Sequence, residues 1–243
     1  MNRILLHHDE ISPDGNAVVC DARAQHIINV LKAEPGQSIK TGVINGLIGT
    51  STVVNLNKQL GRVNLKCSHT IPSPSAWCDL ILAVPRPKVM KRLWAQLAAL
   101  GVRRIALINA YKVEKFYFDS HVITAEFYTD LLLEGLQQAG TSLLPEVTVH
   151  RSFKFFVEHE LDRLFEPQCR FLAHPTTENS SISSSLPSSP VLAIGPEGGW
   201  TDHETETLLN KSFTPFSMGK RILRTDTACI AAIARLGGIF DKN

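Results

Sequence analysis

The residues whose types and spacing could do chemistry fall in two short stretches near the carboxyl terminus. One is Val191-Leu-Ala-Ile-Gly-Pro-Glu-Gly-Gly-Trp200 and the other is Met218-Gly-Lys-Arg-Ile-Leu-Arg-Thr-Asp-Thr-Ala228. Each reads as a strand, a glycine-bearing loop and a helix. Val191 to Ile194 is the short apolar run of a buried parallel strand. Gly195-Pro196 stops it, and Gly198 and Gly199 permit positive φ and bring bare backbone close to a ligand. Thr201 with Glu204 forms a capping box, so a helix starts at once. In the second stretch Phe213 to Met218 reads as a strand, Gly219 breaks it, and Thr225 caps a helix carrying Ala228, Ile230, Ala231, Ala232 and Ile233. Two such turns predict a small-molecule pocket at the carboxyl ends of adjacent parallel strands.

The ligand chemistry can be narrowed. The first loop lacks the Gly-x-Gly-x-x-Gly spacing of a dinucleotide site and the Gly-Lys-Ser/Thr of a phosphate loop. Backbone amides in such a loop suit an adenosine and amino-acid ligand as well as a phosphate. Glu197 reads as a brace for the loop or a contact to a neighbour rather than a catalytic carboxylate. Arg221 and Arg224 have two readings: they pair with acids to hold the loop, or one faces an anionic substrate group. The residues alone leave both open. No metal is expected, because His159-Glu160 opens a His-Glu-x-x-His pattern that Arg163 breaks. No Gly-x-Ser-x-Gly elbow appears, and the serines of 180–189 read as loop composition.

The elements that must position these loops divide the chain in two. Over residues 1–70, Arg3–Leu6, Ala17–Cys20, Gln37–Lys40, Leu47–Val54 and Arg62–Lys66 read as short strands separated by turn residues, with one helical stretch from Ala22 to Leu31. That spacing predicts a small β-barrel. Residues 71–76, with two prolines and two serines, read as a linker. Residues 77–243 alternate. Strands are expected at Asp79–Val84, Arg104–Asn109, Glu146–His150 and Arg170–Ala173. Helices are expected at Lys88–Leu100, Val122–Ala139 and Phe153–Phe165. A Ser/Thr-rich loop follows over Thr176–Pro190. The order predicts a parallel α/β sheet with helices on both faces.

Composition bounds the partners. The 243 residues are 44% hydrophobic and carry a net charge of +2. The charge is uneven: eight basic residues lie between Arg86 and Lys115, where Glu114 is the only acid. Such a local basic field can attract phosphate backbones, although a solvated helix face would look the same. The five cysteines are odd in number and form no Cys-x-x-Cys pair, which favours a reducing compartment over a disulfide framework. No signal-peptide core and no membrane-length apolar run is found. A cytoplasmic protein without membrane association is expected.

Taken together, Ile194-Gly-Pro-Glu-Gly-Gly-Trp-Thr-Asp-His-Glu204 and Met218-Gly-Lys-Arg-Ile-Leu-Arg-Thr-Asp-Thr-Ala228 resemble the two signature segments of the ribosomal small-subunit RNA uridine-N3 methyltransferase family. That family belongs to the SPOUT class of knotted methyltransferases. Arg86-Pro-Lys88, Leu100-Gly101 and the His26-x-x-x-Val-Leu31 stretch share the likeness, which runs over the whole chain. It implies a PUA-like N-terminal barrel that helps hold RNA, then a knotted parallel-sheet methyltransferase domain, in a homodimer with each site near the subunit interface. It implies S-adenosylmethionine bound by Ile194, Gly195, Pro196, Glu197, Gly198, Gly199, Met218, Gly219, Ile222, Leu223, Arg224, Thr225 and Ala228. The implied product is a uridine methylated at N3 in 16S ribosomal RNA, free or in the small subunit.

For such a transfer Arg224, with Arg221 second, is the candidate to stabilise charge developing on the uracil oxygens. Glu197 and Asp226 are the weaker candidates for a base. Lys32, Arg86, Lys88, Lys91, Arg92 and Arg104 are the candidates for RNA phosphates. The chain departs from many relatives at Ala95-Gln-Leu-Ala-Ala-Leu-Gly101, at Leu136-Gln-Gln-Ala-Gly-Thr141 and at Lys32. The cofactor segments are intact and the departures fall where substrate is expected. The alternatives are a methyltransferase of the same class acting on another RNA site, or an RNA-binding member of the fold without turnover.

Overall fold

The computed structural model describes residues 3–167, 169–175 and 189–240. Most of the Ser/Thr-rich stretch, 176–188, lies outside the described residues. Contacts divide the chain into two compact units. One runs up to Ser75 and includes Leu133–Leu144; the other holds Ala76–Leu132 and the chain from Pro145 on.

The first unit is built on a five-stranded mixed sheet in the order β1-β3-β4-β5-β2. Its strands are β1 (Ile4–Leu6), β2 (Asn16–Val19), β3 (Ser38–Val43), β4 (Ile48–Asn57) and β5 (Arg62–Ile71). Only the β1–β3 pair is parallel. Alternation fixes which face is buried: Ala17 and Val19 of β2, Val53 of β4, and Val63 and Leu65 of β5 all turn into one core. The short helix α1 (Ala22–Gln25) starts where Asp21 accepts the Arg23 backbone N–H at 2.8 Å. It continues through a π-helical turn, His26–Val30, that adds Ile27 to the core. Arg3 ties the carboxyl end of helix α3 (Ala125–Ala139) into this unit. Its backbone N–H donates to the Gln137 carbonyl at 3.0 Å and its Nε to the Gly140 carbonyl at 2.9 Å.

The second unit is an all-parallel six-stranded sheet in the order β11-β9-β10-β6-β7-β8. Its strands are β6 (Cys78–Ala83), β7 (Val102–Ile108), β8 (Glu146–His150), β9 (Arg170–Ala173), β10 (Val191–Ile194) and β11 (Phe213–Phe216). Every residue of β6 and β10 is buried, as a central parallel strand covered on both faces requires. β11 contains Pro215, tolerated because the strand lies at the sheet edge. The chain runs outward from β6 through β7 to β8, then restarts on the other side of β6. The β6–β10 boundary is therefore the topological switch point, where open α/β sheets leave a crevice.

Helical segments pack with this sheet, in addition to the first half of α3. Helix α2 (Pro87–Ala99) has Pro at its start and buries Met90, Leu93, Trp94, Leu97 and Ala98, a stripe at helical spacing. Helix α6 (Asp202–Asn210) begins at the expected Thr201–Glu204 capping box, and α7 is Thr225–Phe240. The segment from Phe153 runs as α4 (Phe153–Phe155), a π turn Phe156–Glu160 and α5 (Leu161–Leu164). Two expectations shift. The helix expected from Val122 starts at Ala125, because the Ser120 side chain accepts the Val122 N–H and closes a separate 3-10 turn, leaving Thr124 extended. The helix expected to be capped by Thr225 starts one residue earlier: the Ala228 N–H donates to the Arg224 carbonyl at 2.7 Å.

Candidate active site at the carboxyl ends of the parallel strands

A cavity of about 810 Å³ opens at the carboxyl ends of β6, β9, β10 and β11. Four connections wall it: Arg86 to Arg92 after β6, Ala173 to Pro175 after β9, Ile194 to Trp200 after β10, and Phe216 to Ala228 after β11. The expected adjacency of the two glycine-bearing strands is corrected. β10 and β11 are separated by β9, which pairs with both. The loops still meet over one cavity because their strands end on the same side of the sheet.

Local bonds hold the first loop from both flanks. The Glu197 carboxylate accepts the Arg86 backbone N–H at 3.0 Å. The Gly198 carbonyl accepts from Lys112 Nζ at 2.8 Å. Consecutive loop residues are thus pinned by the connections after β6 and β7. Gly199 follows at φ +71°, a left-handed conformation that disfavours a side chain although no atom lies within 4 Å of the Cβ position. Glu204 is buried and triply engaged. It accepts from the Thr201 N–H at 2.9 Å, the Thr201 hydroxyl at 2.8 Å and the Tyr111 N–H at 2.7 Å. In the second loop Gly219 sits at φ +100°, again with nothing near its Cβ position. Each loop therefore carries a bare backbone position, Gly199 in the first and Gly219 in the second, among the residues that line the cavity.

Ile194, Gly195, Pro196, Glu197, Gly198, Gly199, Met218, Gly219, Ile222, Leu223, Arg224, Thr225 and Ala228 all line this cavity, as does Arg221. Arg221 and Arg224 are exposed, and among the described residues neither makes an ion pair or a side-chain hydrogen bond. Asp226 is different: its Oδ2 takes Arg92 at 2.6 Å, and that hydrogen bond holds the carboxyl below its usual range.

The basic residues scatter. Arg86 and Arg92 line the cavity, and Lys88 and Lys91 are exposed on α2, with Lys91 Nζ 5.8 Å above the Phe127 ring. Arg104 lies near the opposite, amino end of β7 and is engaged with Glu146 at 3.3 Å and the Leu164 carbonyl at 2.7 Å. Lys32 belongs to the other unit, where it lines a shallow depression with Lys58 and Glu34.

The sequence reading missed the β9 wall. Ala173, His174 and Pro175 carry no motif, yet they line the cavity. The His174 Nδ1 is buried without a hydrogen-bond partner among the described residues, a polar atom on a wall that a ligand would contact. The signal that could have found them is the rule that ligands bind at strand ends beside a switch point. The described residues hold no cluster of three or more His, Cys, Asp and Glu placed for a metal.

Residues 72–237, which carry the whole parallel sheet and its cavity, match the RNA methyltransferase domain family. Over 241 residues the chain is 46% identical to the ribosomal RNA small subunit methyltransferase E of Rickettsia conorii, covering 97% of this chain and 94% of that one. It is 32% identical over 240 residues to the protein of the same name from Treponema pallidum, covering 96% and 90%. Its fold matches a ribosomal RNA small subunit methyltransferase E from Neisseria gonorrhoeae, solved bound to S-adenosyl methionine. The TM-score is 0.78 at 22% identity, over 99% of this chain and 98% of that one. The chain belongs to the ribosomal RNA small subunit methyltransferase E family.

Proposed function

We propose that this protein transfers the methyl group of S-adenosylmethionine to N3 of a uridine in 16S ribosomal RNA. The observation that carries the reading is the cavity at the switch point, framed by two glycine-bearing loops in a chain of this family. Its volume falls within the roughly 300–1,000 Å³ of small-molecule sites. The donor set suits a nucleoside joined to an amino acid, with backbone groups from 195–199 and 218–225, Ile194 and Ala228 for the apolar parts, and the His174 Nδ1, which has no hydrogen-bond partner among the described residues. Bound there, the cofactor supplies a methyl group made electrophilic by its sulfonium.

The chain's own task is to align the acceptor nitrogen with that methyl. Uridine N3 must also lose its proton, which passes to solvent water. Asp226 is held as a carboxylate by Arg92, and Glu197 is committed to the Arg86 N–H, so each has a structural duty. Arg224, with Arg221 second, is left to offset negative charge developing on the uracil oxygens.

The same reading extends to architecture. It assigns 1–70 as a PUA-like RNA-binding barrel, 71–76 as a linker and 77–243 as a knotted SPOUT-type domain, in a cytoplasmic homodimer. A separate small sheet with its own core supports the first assignment. No helix among the described residues is long and apolar enough to cross a membrane.

Titration calorimetry with S-adenosylmethionine, against ATP and NAD, tests the cofactor, and mapping ribosomal RNA from a deletion strain tests the target. Selective cofactor binding and loss of one N3-methyluridine in 16S RNA are expected. A folded, cofactor-free protein that ignores S-adenosylmethionine would sink the reading; a mark lost elsewhere would move the target. RNA affinity should be salt-dependent. With about four phosphate contacts it should fall roughly 50-fold between about 50 and 200 mM salt. Lys88→Ala should flatten the slope, and Arg104→Ala, already engaged within the protein, should change it least. A flat response in the parent protein returns these cations to solvated surface.

A further inference from the structure

The connection after β7 carries features that neither the sheet core nor the cavity uses. Tyr111 is 84% exposed and Phe116 is 63% exposed, the latter edge-on to the Tyr117 ring with centroids 4.8 Å apart. Exposed aromatics cost solvation, yet the backbone beneath Tyr111 is held in place. Its N–H donates to buried Glu204 at 2.7 Å, and Val113 two residues on is buried. The neighbouring residue, Lys112, reaches the cavity loop through the Gly198 carbonyl. The ring is therefore carried on backbone bonded to Glu204, one residue from the lysine that holds the cavity loop. Lys112 and Lys115 follow it in the chain, within the stretch where basic residues outnumber acids eight to one.

We propose that Tyr111 stacks on an unpaired base of the RNA substrate, with Phe116 as a second ring and Lys115 facing a backbone phosphate. The proposal rests on the RNA reading of the cavity and names a part of the substrate surface. Three properties single out single-stranded RNA as the occupant. Planar rings with open faces accept any base, adjacent cations suit phosphates, and a prefixed support lowers the ordering cost of the contact. Tyr111 acts as a positioning residue, so its loss should raise KM for RNA more than it lowers kcat.

The test compares the full-length protein with Tyr111→Ala, Tyr111→Phe and Phe116→Ala. A uridine-containing single-stranded oligoribonucleotide is titrated in fluorescence anisotropy with S-adenosylhomocysteine present. Tyr111→Ala should weaken binding about tenfold or more, Tyr111→Phe should bind like the parent, and Phe116→Ala should fall between. Melting temperature, cofactor affinity and molecular mass in solution should not move. Parental RNA affinity in Tyr111→Ala overturns the proposal. So does a parent protein that does not bind the oligonucleotide, or a change in mass on substitution, which would assign the ring to a second copy. Parental methyl transfer to ribosomal RNA separates the readings: transfer with an unchanged KM in Tyr111→Ala leaves the enzyme reading standing and removes this one.

Discussion

Arg224→Ala should lower methyl transfer by about 10²–10³-fold while leaving cofactor affinity largely unchanged. The side chain lines the cavity, is exposed and has no ion-pair partner among the described residues. Its removal orphans nothing in the fold. What Arg224 gives the fold is its carbonyl, which starts α7 through the Ala228 N–H and survives the substitution. The loss should therefore appear in kcat rather than in stability, the signature of an interaction made mainly in the transition state. Arg224→Lys should recover part of the rate, since it restores charge without the planar fork. Single-turnover kinetics at saturating cofactor provide the measurement. Unchanged turnover would remove Arg224 from the mechanism and pass the role to Arg221.

The second large effect concerns stability. Arg170→Ala should cost about 3–5 kcal/mol in urea unfolding, since three carbonyls lose their donor at about 1–3 kcal/mol each, a drop of roughly 6–20 °C in melting temperature. Arg170 is only 2% exposed at the start of β9. Its Nε donates to the Glu166 carbonyl at 3.1 Å, and one terminal nitrogen reaches Asp162 Oδ1 at 2.8 Å and the Lys211 carbonyl at 3.0 Å. The other terminal nitrogen donates to the Phe165 carbonyl. One guanidinium thus joins the end of α5, the start of β9 and the turn before β11. Asp162 would remain half-exposed and bound to Lys211 at 2.8 Å, so the damage comes from carbonyls left without a donor rather than from a stranded charge.

Arg170 also has a pH consequence. Lys211 first, then Arg170, hold the Asp162 carboxyl below its usual range. That contribution is complete above roughly pH 4, the ordinary carboxylate value, and is lost as pH falls through the lowered one. A stability loss under about 1 kcal/mol in Arg170→Ala would refute the account. The far end of β9 supplies Ala173 to Pro175 to the cavity, so the substitution should also loosen cofactor binding near the melting temperature.

What was legible in the sequence is what short-range chemistry encodes. The strand–loop–helix turns at 191–204 and 213–228, the capping box of Thr201 and Glu204, and the buried stripe of α2 each depend on residues within a few positions of one another. The resemblance to the methyltransferase family rests on these same segments.

Tertiary structure alone decided the rest. That β9 stands between β10 and β11, that His174 joins the cavity wall, that Glu204 caps its own helix and also holds Tyr111, and that Arg92 meets Asp226 are all long-range outcomes. Their physical cause is sheet order. Apolar strands such as Phe171-Leu-Ala173 and Val191-Leu-Ala-Ile194 are nearly interchangeable as sequences, and only burying them all in one parallel sheet selects their neighbours. Once that order is set, loops from four strand ends converge on one cavity, and groups more than 90 residues apart come within hydrogen-bonding distance.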